Sequence, residues 1–217
     1  ENFCTDGYSL MEFSKLARAT ASSNDKSPRE LGFVMKTIDD MTFGTNMDKE
    51  SFKEQFWDMF VADTLIGNDD RHLDNWGFLV KGNHIRFAPV YDCGSALGPL
   101  MEDAKMATIL KDETAFINQE YNVKSAYRYQ EKRLFYHEIY KNPPQGLKEA
   151  ILRIVPKINV AFLSAAIIRT TPEMSEIRKE YLSKSVMIRY DRILLPSFKR
   201  IRKEINYFPQ QPEERHR

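Results

Sequence analysis

The sequence predicts a mainly α-helical domain that carries one small β-hairpin. Three observations predict this fold class. Apolar residues recur at three- and four-residue spacing in the N-terminal third, a short aromatic and β-branched hairpin follows, and helical patterns return from about residue 131. At 217 residues the chain is long enough for one sizeable domain. No repeat, low-complexity tract or Gly/Ser linker divides it.

Helix start signals mark the first two predicted helices. Ser9 followed by Glu12 is a capping box that predicts a helix over SLMEFSKLARA. The run Ser27-Pro28-Arg29-Glu30 is a second such signal, with proline at the first helical position. Both segments are therefore expected to begin helices at these residues.

A third, largely buried helix is predicted after Asp48. The segment SFKEQFWDMFVADTLI places apolar residues at helical spacing, and Gly67 is a natural stop because glycine readily ends a helix. The aromatic stripe of this helix is predicted to be core rather than a ligand site. It comprises Phe52, Phe56, Trp57 and Phe60.

The middle of the chain predicts a β-hairpin. Residues 76–80 (WGFLV) and 85–91 (IRFAPVY) are strand-like and flank a turn with Gly82-Asn83 at its tip. With a two-residue turn, the numbers of paired residues sum to about 165, which places Asn75 opposite Val90. Pro89 predicts that the second strand is an edge strand or ends early.

The remainder is predicted to be helical again. Residues 99–130 show no clear pattern, whereas LKEAILRIV, INVAFLSAAII and EIRKEYLSKSVMIRYDRILL predict three helices. The last of these starts after Ser175 and is expected to be interrupted by Pro196. The C-terminal QQPEERHR is expected to be a frayed tail.

Composition narrows the function classes. The formal charge is +1, so nucleic-acid binding is not expected, and the basic run Lys199, Arg200, Arg202 and Lys203 is predicted to be a solvated helix face. The two cysteines, Cys4 and Cys93, cannot form a disulfide framework, and no zinc-ligand spacing is present. No apolar run reaches the roughly 18 residues that span a bilayer. A cytoplasmic protein without a membrane partner is expected.

Three oxygen-bearing side chains are predicted to converge at one end of the hairpin. Asp70 lies five residues before Asn75, and Asp92 follows the second strand opposite the loop that ends at Asn75. Carboxylate and carboxamide oxygens are the hard ligands that Mg²⁺ prefers, and a further carboxylate can orient a hydroxyl and take its proton. Phosphoryl transfer needs such a set.

The spacing supports this chemistry. Asp70-Arg-His-Leu-Asp-Asn75 reproduces the D-x-x-x-x-N of a kinase catalytic loop, and Asp92-Cys-Gly94 stands where Asp-Phe-Gly would. Asp70 would then act at the acceptor hydroxyl, while Asn75 and Asp92 would ligate magnesium and so hold the nucleotide. His72 is also a candidate catalytic residue, although a hydrogen bond from the loop backbone is the role we expect for it.

Simpler interpretations stay open for the same residues. The three could form an Asx-rich surface turn that caps its own backbone, as Asn68 and Asp69 beside them indicate. Arg71 and Asp74 could contact phosphate or metal, or be solvated. Asp63 could hydrogen-bond this loop or face solvent. Cys93 is expected to be a packing residue.

The segment LIGNDDRHLDNWGFL…FAPVYDCGSAL resembles the catalytic segment of HipA-like kinases, Ser/Thr kinases that occur as bacterial toxins and as related orphan proteins. Its D-R-H-x-x-N core is also similar to that of the phosphatidylinositol 3- and 4-kinases. The resemblance implies a C-terminal kinase lobe over residues 1–205, with a catalytic loop at 67–76, a metal-binding segment at 88–95 and a tail at 206–217. It further implies ATP and Mg²⁺ as cofactors, a protein Ser/Thr acceptor, and an antitoxin or regulatory partner.

One part of the family pattern is missing. The family carries an N-terminal β lobe with a glycine-rich loop and a lysine for the phosphates, and no such pattern occurs here. A fragment, which the lack of an initiator Met favours, or a diverged relative that holds ATP poorly would explain this. A lipid or small-molecule kinase and a non-catalytic binding module are the alternative functions. The intact trio Asp70, Asn75 and Asp92 argues against the last.

Overall fold

The computed structural model describes residues 4–21, 27–42, 48–170 and 172–207. Within them helices dominate, so the predicted mainly helical class is confirmed, but two small antiparallel sheets are present where one hairpin was predicted. The helices are α1 Phe13–Thr20, α2 Leu31–Asp39, α3 Lys49–Ile66, α4 Asp103–Leu110, α5 Glu113–Tyr121, α6 Tyr136–Ile139, α7 Gln145–Ile154, α8 Val160–Thr170, α9 Glu176–Arg189 and α10 Leu195–Tyr207. The strands are β1 Ser9–Glu12, β2 Gly77–Lys81, β3 His84–Phe87, β4 Lys124–Tyr129 and β5 Lys132–Phe135.

The central hairpin has the predicted register. Phe78 pairs with Phe87 and Lys81 with His84, and Gly82 at the tip has a φ of 56°. The second strand ends at Phe87 rather than at Tyr91. After it, the Ala88 N–H still donates to the Gly77 carbonyl at 2.9 Å, but Pro89 has no N–H with which to continue the ladder.

The first predicted helix start is wrong, because residues 9–12 form strand β1 on the free edge of β2. Helix α1 begins only at Phe13, and no side chain caps it. Its first amides instead donate to the loop before β2: Phe13 N–H to Trp76 O and Ser14 N–H to Leu73 O, both at 2.9 Å. Backbone carbonyls from a distant segment thus accept the first amides of the helix, where side chains of a capping box were expected to accept the N-terminal amides.

The second predicted helix start is also wrong, by a few residues. Helix α2 begins at Leu31, and residues 27–30 form a turn in which Glu30 N–H donates to Ser27 O at 3.1 Å. The Arg29 carbonyl is used by the second sheet, since it accepts the Arg128 N–H at 2.9 Å. This pairing holds the segment extended where proline was expected to start the helix.

Helix α3 is confirmed in full. The helix starts after Asp48 as predicted, and Asp48 Oδ1 caps it by accepting the Ser51 N–H at 3.0 Å. Gly67 ends the helix with a left-handed φ of 67°, a conformation that favours glycine. The aromatic stripe is core: Phe52, Phe56, Trp57 and Phe60 are at most 5% exposed.

The second half of the chain follows the predicted helices α7, α8 and α9, and Ser175 caps α9 by accepting the Arg178 N–H at 3.1 Å. The β4–β5 hairpin was not predicted. Pro196 does not interrupt the last helix, because a π-helical turn over Tyr190–Leu194 precedes it and Pro196 falls in the first turn of α10.

The C-terminal end of α10 and its basic face were both predicted from the sequence. Residues 206 and 207 close α10, and the rest of the predicted tail, 208–217, lies outside the described residues. Lys199, Arg202 and Lys203 are exposed as predicted, whereas Arg200 is half-buried and donates to the Tyr140 carbonyl.

Stacked aromatic rings support the loop that precedes β2. Trp76 is 1% exposed, stacks on Phe13 with ring centroids 4.1 Å apart, and contacts Phe56 at 5.1 Å and Phe87 at 5.5 Å. Such pairs add to the free energy of burial. The loop between α3 and β2 therefore rests on a rigid base formed by α1, α3 and β3.

No single helix in the described part of the chain is both long and apolar enough to cross a membrane. Only the bent pair 145–157 and 160–169, which meet at 64°, passes that test by length and composition.

Candidate functional site

A buried ion pair connects helix α3 to the candidate catalytic loop, residues 67–76. Asp63, in the last turns of α3, is 1% exposed, and Arg71 in the loop is fully buried. Arg71 donates to Asp63 through two nitrogens, Nε to Oδ2 at 2.9 Å and Nη2 to Oδ1 at 3.0 Å. This two-point geometry fixes the direction of the guanidinium. Of the two interpretations of Asp63, the hydrogen bond to the loop is confirmed.

The remaining donors of Arg71 join the loop to the segment after β3. Its Nη1 donates to the Asn75 carbonyl at 2.6 Å and also to the Tyr91 carbonyl, and its Nη2 lies 3.2 Å from Cys93 Sγ. Ladder pairing has already ended at Ala88 and Gly77. One guanidinium therefore holds together the two segments that carry Asn75 and Asp92, where backbone pairing no longer does.

Asn68 shapes the turn that leads into the loop. Its amide nitrogen donates to Asp63 Oδ1 at 2.9 Å, and its Oδ1 accepts the Asp70 N–H at 3.2 Å. Its carbonyl accepts the Tyr136 hydroxyl at 2.6 Å. The Asx turn that was a simpler interpretation of the loop is thus present, but Asn68 makes it. The Asp70 carboxylate takes no part in this turn and is 55% exposed.

Asn75 is held by a hydrogen bond from its amide nitrogen to the loop backbone. Its Nδ2 donates to the Asp70 carbonyl at 2.8 Å, and the residue is 6% exposed. Because the two ends of a carboxamide point in different directions, this bond turns Oδ1 away from that carbonyl. The same bond closes the loop between Asp70 and Asn75.

Asp92 is exposed and has a left-handed φ of 52°, which aspartate tolerates better than most residues. Its neighbours on both sides contact Arg71, through the Tyr91 carbonyl and Cys93 Sγ. The Asp92 side chain is left outside this buried network. Burial raises the pKa of the Tyr91 phenol, which stays neutral and donates to the Asp74 carbonyl at 2.9 Å.

His72 lies between two loop carboxylates. Its Nδ1 accepts the Asp74 N–H at 3.3 Å and lies 3.4 Å from Asp74 Oδ2, and its Nε2 lies 3.8 Å from Asp70 Oδ2. The structure thus contains the expected hydrogen bond from the loop backbone. A neutral imidazole that accepts at Nδ1 carries its proton on Nε2, the nitrogen that faces Asp70.

The electrostatics of the buried pair favour a charged Arg71. Burial by itself lowers the pKa of Arg71, but the Asp63 carboxylate more than reverses this and raises it overall. Burial raises the pKa of the Asp63 carboxyl, and hydrogen bonds from Arg71 and Asn68 oppose that shift. Three N–H donors point at the two Asp63 oxygens, which is the arrangement that an ionised carboxylate accepts.

Asn75 and Asp92 carry oxygen atoms of the kind that a magnesium ion takes as ligands. Among the described residues, no group of three or more His, Cys, Asp or Glu side chains is placed to hold a metal. Mg²⁺ takes hard oxygen ligands and is commonly held by one or two carboxylates together with waters and substrate phosphates. The Asn75 carboxamide oxygen and the exposed Asp92 carboxylate are hard oxygens of this kind.

Two interpretations of neighbouring residues are wrong. Arg71 contacts neither solvent nor an open site, because its nitrogens are used inside the protein. Cys93 is exposed rather than packed in the core.

The scaffolding role of Asn68 was missed. A signal for this network was available, since Asp63 lies among the buried residues of α3 and a carboxylate there needs a partner.

Comparison with known proteins shows the fold and the family of the chain. The crystal structure of a proinflammatory kinase, CtkA from Helicobacter pylori, matches with a TM-score of 0.85 and 33% identity, over 94% of this chain and 74% of that one. The chain therefore has the fold of a kinase. Its sequence matches the HipA-like C-terminal domain family over residues 8–162, and it belongs to that family.

A comparison of sequences supports the same assignment. The serine/threonine-protein kinase CtkA of H. pylori is 35% identical over 189 residues, which cover 84% of this chain. The chain spans 57% of the length of that kinase. The resemblance to HipA-like kinases, predicted from residues 63–97, is thus confirmed.

Proposed function

We propose that this chain is the C-terminal lobe of a HipA-like kinase that transfers a phosphoryl group from Mg·ATP to a Ser/Thr hydroxyl of a protein. The observation that carries the proposal is the position of Arg71. Its guanidinium bridges the loop with Asp70 and Asn75 to the segment with Asp92, in a kinase fold. A surface turn of Asx residues does not need a buried cation to join it to a distant segment.

The proposed roles follow from exposure and contacts. Asp70 has an exposed carboxylate, so an acceptor hydroxyl can reach it, and it would orient that hydroxyl and take its proton. His72 would hold Asp74 and face Asp70 through Nε2. Asn75 and Asp92 would hold magnesium, and through it the nucleotide. When bound, Mg·ATP supplies the phosphoryl group and the metal neutralises its charge.

Further parts of the proposal rest on family membership. The glycine-rich loop and the lysine of a kinase N-terminal lobe would complete the nucleotide site. A cytoplasmic bacterial location and an antitoxin or regulatory partner are proposed on the same ground.

The test separates the two carboxylates in the full-length protein. Asp92→Ala removes a metal ligand and should weaken Mg·ATP affinity together with turnover. Asp70→Asn keeps size and hydrogen bonding, so it should leave Mg·ATP affinity nearly unchanged while turnover falls on the order of 10²-fold or more. Nucleotide affinity by calorimetry and phosphoryl-transfer rate are measured on both variants.

Asp74→Asn is the matched control, because it removes a carboxylate from the same loop and should change neither quantity much. If Asp70→Asn lost nucleotide binding and Asp92→Ala kept it, the two roles would have to be exchanged. If neither variant lost transfer, the proposed site would be wrong.

A further inference from the structure

A cavity of about 290 Å³ opens beside the candidate catalytic loop. Gly67 and Asp69 of the loop form one wall, Ser95 forms a second, and Ser185 and Arg189 of α9 form a third. Asp69 immediately precedes the proposed acceptor-side carboxylate, and Ser95 lies shortly after the proposed metal ligand in the sequence. The cavity is therefore next to the place where phosphoryl transfer is proposed.

Two buried donors on the α9 wall have no hydrogen-bond acceptor among the described residues. Arg189 is 2% exposed; its Nε donates to the Leu65 carbonyl at 2.8 Å and its Nη1 pairs with Glu120. Its Nη2 has no hydrogen-bond acceptor within the described part of the chain, and neither has the hydroxyl of Ser185, which is 1% exposed. Buried donors without acceptors are unfavourable and uncommon in native proteins.

The position of Arg189 depends on the loop itself. A Cβ atom on Gly67 would lie 2.8 Å from Cζ and Nη1 of Arg189, so only glycine lets the guanidinium lie against the loop backbone. The arginine whose Nη2 lacks an acceptor is thereby placed at the entrance of the loop. Burial lowers the pKa of Arg189, and the Glu120 carboxylate opposes that shift.

The charges around the cavity favour a neutral ligand. Glu120 already neutralises Arg189, and the Tyr181 hydroxyl donates to the same carboxylate at 2.9 Å. At the cavity rim, Asp69 and Lys124 carry opposite charges. An additional anion would thus find no unneutralised cation in the buried set. An uncharged oxygen acceptor fits the two vacant donors.

The cavity continues into a second one of about 520 Å³, which shares Asp69, Ser95, Gly98 and Met101 with it. Leu100, 96% exposed, lies on this second part. Only the first of these two adjoining cavities is lined by Ser185 and Arg189, which carry the vacant donors. An extended polypeptide can place one carbonyl group at these donors and continue into the second cavity.

We propose that these two cavities form an acceptor groove in which Arg189 Nη2 and Ser185 Oγ donate to carbonyl oxygens of the substrate polypeptide beside its Ser/Thr hydroxyl. This inference rests on the proposed kinase function and extends it, because it assigns where the acceptor chain binds. Contacts between the groove and the polypeptide on one side of the acceptor residue would hold the acceptor hydroxyl near Asp70.

The test uses two substitutions of Ser185 in the full-length protein. Ser185→Ala removes one donor and should raise KM for an acceptor peptide by roughly 3- to 10-fold with kcat little changed, as expected for one neutral hydrogen bond. Ser185→Leu fills the cavity and should raise KM further. Ser183→Ala is the matched control: its hydroxyl is also buried without a partner on α9, but it lies outside the cavity lining.

The probe is a library of serine-containing peptides, assayed both for phosphorylation with Mg·ATP and for binding without nucleotide by fluorescence anisotropy. If peptides bind and Ser185→Leu abolishes binding but no phosphate is transferred, the groove stands and the kinase proposal fails. If phosphate is transferred and both Ser185 variants keep the wild-type KM, the groove is overturned and the kinase proposal stands. Absence of peptide binding also overturns the groove.

The library further identifies the source of the carbonyl oxygen. A uniform loss of affinity across all peptides in Ser185→Ala would indicate a main-chain carbonyl. Loss of a preference for Asn or Gln at one position would indicate a side-chain carboxamide. A preference for Asp, Glu or a phosphorylated residue that depends on Ser185 would overturn the assignment of a neutral ligand.

Discussion

Asp63→Asn removes the charge from one half of the buried pair and keeps its size. Arg71 is fully buried and its only carboxylate partner among the described residues is Asp63. Breaking such a pair leaves an uncompensated buried cation, which costs about 3–5 kcal/mol. Against a typical domain stability of roughly 5–15 kcal/mol, the variant should fold but with a much lower free energy of unfolding.

The double variant Asp63→Leu with Arg71→Met separates stability from function. Removing both charges avoids the buried unpaired ion, so it should recover about 2 kcal/mol or more relative to Asp63→Asn. It cannot recover the hydrogen bonds from Nη1 to the carbonyls of Asn75 and Tyr91. The segment with Asp92 would then lose its link to the loop, and phosphoryl transfer should stay at least roughly 10-fold below wild type.

Urea unfolding gives the stability and a phosphoryl-transfer assay on the full-length protein gives the function. Asp58→Asn is the control, because Asp58 lies on the same helix and pairs with Arg153 at 2.7 Å, with both side chains about a third exposed. That change should cost no more than about 1 kcal/mol. If the double variant transferred phosphate at the wild-type rate, the claim that Arg71 positions the two halves of the site would be refuted. If Asp63→Asn lowered the free energy of unfolding by as little as Asp58→Asn does, the claim of a buried charge would be refuted.

Three further outcomes are expected. Gly77→Ala should destabilise the fold by about 1–3 kcal/mol in thermal or urea unfolding, because its Cβ would lie 2.2 Å from the Met11 carbonyl oxygen of β1, whereas Gly82→Asn at the open hairpin tip should be tolerated. His72→Ala should cost about 0.5–1.5 kcal/mol, for the single Asp74 N–H that loses its acceptor, and a larger loss of stability would place His72 in a tighter network. Burial lowers the pKa of His137, so its contribution to stability is present above the unfolded-state pKa of about 6.5 and is lost as the pH falls through the folded-state pKa. The His137→Gln variant should therefore flatten the pH dependence of the urea midpoint in that range. An unchanged slope would contradict this prediction.

The parts of the fold that the sequence predicted correctly depend on neighbours in the chain. Helix α3 needed only its apolar spacing, the Asp48 cap and Gly67, and the hairpin register needed only the Gly82-Asn83 tip. The two wrong helix starts show the limit of such signals. A Ser and a Glu three residues apart form a capping box only where no competing backbone pairing is available. Here residues 9–12 pair with the edge of β2, and carbonyls of the loop before β2 accept the first amides of α1.

The candidate site divides in the same way. Asp70, Asn75 and Asp92 lie within a short segment whose spacing is readable, so the sequence by itself was enough to propose them as a site for phosphoryl transfer. The alternative roles of Arg71 could not be separated from the sequence, since its direction depends on Asp63 across the end of α3 and on the Tyr91 carbonyl across the hairpin.

What the tertiary structure alone decided is the surroundings of that site. Arg189 and Glu120 are 69 residues apart, and no local pattern joins them. They meet because α9 packs against α3 and α5, and their position beside Gly67 creates the cavity with its vacant donors. Local spacing specifies turns, caps and periodic faces because those interactions form within a few residues. Contacts between distant segments depend on how complete helices pack, which no single segment encodes.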